Sequence, residues 1–130
     1  FNQKNIDEIV HCIEAHRYRN EIIPSTIEAK VLYDADKLDC SGAIGIGRAF
    51  LFSGNAGSNV MYNGREKELA KNNKNYTYHK DDSAYLEYEV RLRHIKDKVF
   101  TKTGKKIALN RHKFMENFFA TFWQEIQGKK

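Results

Sequence analysis

Apolar residues recur along most of this chain at steps of three and four, the period of a helix with one buried face. Asn5 followed by Glu8 marks a helix start, and Ile6, Ile9, Val10 and Ile13 then form a stripe expected to be buried. This first helix is predicted to end near His16 or Arg17. Pro24 halts the chain that follows, and Ser25 with Glu28 three residues later has the form of a capping box, which predicts a second helix from about Thr26. On it Ile27, Val31, Asp34, Ala35 and Leu38 share one side, while Leu32, Asp36, Asp39 and Ala43 share another. Gly42, Gly45 and Ala49 continue as a face without bulk, which lets a neighbouring helix or a ligand approach the backbone.

From Ser53 to Asp82 the composition turns to Gly, Asn, Ser and Lys, with SGNAGSN and KNNKN its most loop-like parts. The pattern predicts a long loop or lid over 53–82, with a short helix at Glu66 to Lys71 and Tyr62, Tyr76 and Tyr78 pinning it to the body. Tyr85, Tyr88, Leu92, Ile95 and Val99 then predict one amphipathic helix from Ser83. A turn at Thr103 and Gly104 precedes a last helix whose buried side is expected to carry Ile107, Arg111, Phe114, Met115, Phe118, Phe122 and Ile126, with Gly128 ending it. Strand-like alternation is nearly absent and no repeat emerges. The pattern therefore predicts an all-α fold, with residues 1–130 as a single helical domain.

Composition adds little to this picture. At 130 residues and 41% hydrophobic content the chain can build a core. No apolar run is long enough to span a membrane and no export signal is evident, while Cys12 and Cys40 stand apart as reduced thiols would, so a cytoplasmic protein is expected. The formal charge of +5 is spread along the chain, and the basic stretch from Arg65 to Lys74 also holds two Glu, so charge alone does not point to nucleic acid. GAIGIG lacks the preceding strand and third glycine of a dinucleotide fingerprint. It reads as close helix packing.

The candidate chemistry lies between His16 and Asp39. By spacing alone, Asp34, Asp36 and Asp39 form a solvated acidic face balanced by Lys30 and Lys37. His16 either closes its helix by bonding terminal carbonyls or faces a pocket. Arg17 and Arg19 offer planar forks of donors for phosphate oxygens, with Lys37 a further candidate for substrate contact and Arg48 a weaker one. His11 and His94 read as solvated and carry no assigned role.

As a whole string, STIEAKVLYDADKLDCSGAIGIGRAF resembles the fourth motif of the HD-domain metal-dependent phosphohydrolases, in the branch with DAD-[KR]-LD followed by GAIGI-[AG]-R. The similarity extends to AHRYRN, PSTIEAK and TKTGKKIALNR, covering most of the chain. It implies an HD-domain-like helical bundle and a phosphate ester or nucleotide as substrate. It also implies a divalent metal such as manganese, held in the intact parent by a His, an adjacent His-Asp pair and a distant Asp. No His-Asp pair occurs in these residues, so of that set only the distant Asp, at Asp36, carries over. The resemblance makes Asp39 a supporting acid behind it and gives His16, Arg17, Arg19 and Lys37 the phosphate. With Phe1 first and the other ligands missing, the chain reads as the N-terminally incomplete, C-terminal part of such an enzyme, inactive by itself. The rival expectations are a non-catalytic helical interaction module and a truncated product without function. Oligomeric state is left open.

Overall fold

The computed structural model describes residues 2–17, 22–72 and 82–129. In chain order its helices are α1 (Gln3–Ala15), α2 (Ile27–Asp39), α3 (Gly42–Asn55), α4 (Glu66–Asn72), α5 (Ala84–Val90) and α6 (Lys102–Ile126), with a 3₁₀ segment, Leu92–Asp97, between the last two. Side chains set most of the starts. Asn2, Thr26, Ser83 and Thr101 stand in extended backbone, and each accepts a hydrogen bond from the N–H three residues on, satisfying a donor that the first turn leaves over. The cap of α2 is therefore Thr26, one residue beyond the Ser25 that the capping-box pattern marks.

The core forms where α3, α5, the 3₁₀ segment and α6 meet. Ile46, Ala49, Tyr85, Tyr88, Leu92, Ile95, Val99, Ala108, Met115 and Phe119 are buried together there. The rings of Tyr85 and Tyr88 lie 5.1 and 4.5 Å from that of Phe119, within the range where aromatic pairs add to plain burial. Tyr62 packs edge-on against Phe122 and Trp123, at 5.9 and 5.8 Å, and so fastens the connection between α3 and α4 to the last helix. Tyr76 and Tyr78, expected to do the same, lie outside the described residues, as do 73–81 of the predicted loop. All described regular structure is helical, and among these residues no helix is long and apolar enough to cross a membrane.

Three expectations are corrected. The Tyr85 to Val99 pattern does not form one helix, because Arg91 at φ −131° breaks it and the chain continues as 3₁₀ turns. The pattern survives because three residues per 3₁₀ turn keep Leu92 and Ile95 on one side, and both are buried. On α6 the buried line is Gly104, Ala108, His112, Met115 and Phe119, whereas Ile107 and Phe114 are exposed. Small residues near the start of α6 let it close against α2, which rotates the large apolar ones outward. On α1, finally, Ile6, Ile9, Val10 and Ile13 are all exposed. That helix packs on α2, with Ala15 buried and His11 and Cys12 half-buried, and its apolar stripe stays on the outside.

Candidate functional site

Helix α2 sends its three aspartates into three environments. Asp34 is 3% exposed and accepts hydrogen bonds from the N–H of Phe100 at 2.7 Å, the N–H of Thr101 at 2.8 Å and the hydroxyl of Thr101 at 2.6 Å. It anchors the start of α6 and is no part of a solvated face. The signal was its place on the apolar side with Leu38, where an acid is costly unless hydrogen-bonded. Asp36 is half-exposed, its side chain 48% open, with the Lys37 ammonium 2.7 Å away. Asp39, also exposed, pairs with the Arg48 guanidinium across the turn into α3.

Lys37 brings two candidate residues to one place. Its side chain is 14% exposed, and Nζ donates to the Asp36 carboxylate and, at 3.4 Å, to the backbone carbonyl of His16 while lying 4.9 Å from the centre of the Tyr33 ring. The end of α1 is thereby tied to the Asp36 turn of α2. The His16 ring itself turns back, Nδ1–H donating to the carbonyl of Ile13, so it closes the end of α1 in the way a C-terminal His can. The neutral ring then keeps an acceptor at Nε2. Arg17 is exposed just beyond the helix, and Arg19 lies outside the described residues.

Sequence reasoning missed His11. Its Nε2 accepts from both the N–H and the hydroxyl of Ser25, at 3.0 and 2.9 Å, which fixes the approach to α2. His11→Ala should lower stability by about 1 kcal/mol, the worth of a partly exposed hydrogen-bonded contact. A thermal melt that does not move would show that Ser25 holds no register between the helices.

The turn between α2 and α3 is tightly built. Gly42 adopts φ +71° under the aliphatic stem of Arg111, and the Arg111 guanidinium donates to the carbonyl of Leu38, closing the end of α2 from α6. Cys40 sits in that turn. Burial pushes its thiol pKa up; Arg48 and Lys37 oppose this, while Asp36 and Asp39 push the same way. Among the described residues, no three His, Cys, Asp or Glu side chains converge as metal ligands would. A single exposed carboxylate already paired with Lys37 does not fit a divalent-metal centre by itself.

Comparison with known proteins bears on this arrangement. The chain is 32% identical to the uncharacterized protein YpgQ of Bacillus subtilis, covering 97% of itself and 55% of that protein. The crystal structure of YpgQ superposes with a TM-score of 0.73 at 29% identity, covering all of this chain and 59% of the other. A crystal structure of an HD-superfamily hydrolase from Bacillus thuringiensis gives a TM-score of 0.70 at 28% identity, over 98% of this chain and 56% of the other. The fold is HD-like. YpgQ has also been crystallised in complex with ADP, and that structure superposes with a TM-score of 0.69 at 29% identity, over 96% of this chain and 54% of the other. No protein-family model matches the chain. It spans a little over half the length of the relatives it matches.

Proposed function

We propose that this chain is the Asp36-bearing part of a metal-dependent phosphohydrolase that acts on a phosphate ester or nucleotide in the cytoplasm. The observation that carries the reading is the meeting of Asp36, Lys37 and the His16 end of α1 at one partly exposed place on an HD-like fold. Support for a nucleotide comes from the relative that binds ADP. In this reading Asp36 is one ligand of a divalent metal such as manganese. The rest of the set belongs to the portion that relatives carry beyond the matched region. Asp39 braces the turn through Arg48, and His16, Arg17, Arg19 and Lys37 border the phosphate. The chain alone is then inactive, because among the described residues no side chains make up a metal centre.

The test is manganese-dependent release of phosphate or pyrophosphate from a panel of nucleotides, comparing this chain with a form extended to the length of its relatives. Activity is expected in the extended form only, with its Asp36→Ala variant losing all of it. Activity in the unextended chain, or an active Asp36→Ala variant, would show the ligand assignment to be wrong. One observation favours a non-catalytic interaction module instead, namely the exposed stripe of Ile6, Ile9, Val10 and Ile13. Absence of activity in both forms would leave that reading standing.

A further inference from the structure

Charge is placed less evenly than the total for the whole chain conveys. Residues 91–113, which take in the 3₁₀ segment and the first half of α6, hold nine Lys and Arg against one acid, Asp97, whereas the rest of the chain holds thirteen against sixteen. Arg91, Arg93 and Lys96 are each engaged with a carboxylate, and the Arg111 guanidinium with the carbonyl of Leu38. Lys102, Lys105, Lys106 and Lys113 are all exposed, and among the described residues none of the four joins an ion pair. We propose that the outward face of α6 docks duplex DNA through its phosphate backbone, a role separate from the Asp36 place and independent of the phosphohydrolase reading.

Helix periodicity builds the face. Lys102, Lys106 and Lys113 recur at steps of four and seven, with Asn110, Asn117 and Gln124 beside them, and all six are exposed along about 33 Å of helix, about one turn of a B-form duplex. Buried Gly104 is where the backbone of α6 approaches Asp34, and Lys106 stands about 200° round from it, so the stripe looks away from α2. The two acids of α6 lie off the stripe. Glu116 is paired with buried His112, and Glu125 stands about 100° round from Gln124. A duplex presents one phosphate charge per about 1.7 Å of its axis, so ammonium groups along a rigid helix meet it without exact register, and the amides donate to phosphate oxygens. Two other anionic surfaces fit this face less well. A single strand stacks its bases on aromatic rings, and the six positions carry none, exposed Phe114 standing about 100° round from Lys113. An anionic membrane takes apolar side chains set among the cations, and Leu109 is the one large apolar residue there.

Fluorescence anisotropy of a labelled DNA duplex, titrated with the 130-residue chain at salt concentrations from about 50 to 200 mM, tests this. The logarithm of the affinity is expected to fall with the logarithm of the salt concentration at a slope of about −3 to −4, as four neutralised phosphates require. Lys102→Gln, Lys106→Gln and Lys113→Gln combined should weaken binding at least about tenfold and bring the slope to about −1. The same charge removed from exposed positions elsewhere, by Lys4→Gln, Lys67→Gln and Lys71→Gln combined, should change the affinity by no more than about threefold, because distant charges are screened. Gln forms helix about as well as Lys, so both triple variants should melt like the parent. Equal weakening by the two triple variants would show net charge at work and not the face of α6, and would overturn the proposal, as would absence of binding at the lowest salt. A single strand bound as tightly as the duplex, or phosphatidylserine vesicles bound in its place, would give the face to another anion and overturn the assignment to duplex DNA.

Discussion

Alanine in place of Asp34 is expected to cost the fold about 3–5 kcal/mol, while Asp36→Ala, one substitution and two residues away, leaves stability within about 0.5 kcal/mol. The two carboxylates differ in what they hold. Asp34 is buried and accepts from two backbone N–H groups and a hydroxyl, all at the start of α6. Its removal strands those donors away from water at about 1–3 kcal/mol each. The Thr101 hydroxyl also loses its acceptor, although it still caps Gly104. Asp36 makes one exposed ion pair, of a kind worth about 0–1 kcal/mol. Thermal unfolding checks this: the midpoint should fall by roughly 10 °C or more for the first variant and barely shift for the second. Equal melting of the two would mean that α6 is anchored by something other than Asp34. The contrast also protects the activity test, because a dead Asp36→Ala enzyme that melts normally has lost chemistry and not structure.

Gly45→Ala should destabilise by about 1–3 kcal/mol, against the gain of about 1 kcal/mol that helix propensity alone assigns to the change. A Cβ at Gly45 would overlap the carbonyl oxygen and carbon of Cys40, backbone atoms that cannot swing aside as a side-chain tip does. Helix α3 would have to back away from the end of α2, carrying Arg48 with it. Gly47 is the internal control, since a Cβ there meets nothing within 4 Å. Gly47→Ala should therefore show the propensity gain, and parallel denaturant titrations of the two variants decide the matter. If both gain stability, the approach of α3 to Cys40 is looser than described.

Helix positions were legible in the sequence because capping residues and the step of apolar residues act locally. The bulkless face of Gly42, Gly45 and Ala49 was legible for the same reason, and the structure sets Gly42 against Arg111 and Gly45 against Cys40. What periodicity could not show was which of two sides faces inward when small residues compete with large ones. Gly104 and Ala108 won on α6 because a close approach to α2 brings Asp34 to its donors, and Ile107 turned outward as a result. The aspartates had to be separated by tertiary contacts some 66 and 67 positions away in the chain, which no local pattern encodes. For Lys37, the adjacent residue was evident, but its second partner, the His16 carbonyl 21 positions earlier, was not.

The mounting of α1 has a consequence for how the protein moves. Its substantial packing is on α2, its apolar stripe is exposed, and among the bonds that hold it are His11–Ser25 and Lys37–His16. Releasing it uncovers Ala15 and the α2 surface beneath it but none of the α3, α5 and α6 core, so α1 is expected to detach at a free energy below that of global unfolding while that core stays closed. Each such excursion breaks the Lys37 bond to His16 and frees the ammonium to turn. The charge beside Asp36 thus depends on how α1 is held, and whatever clamps α1 in place also fixes that carboxylate's surroundings.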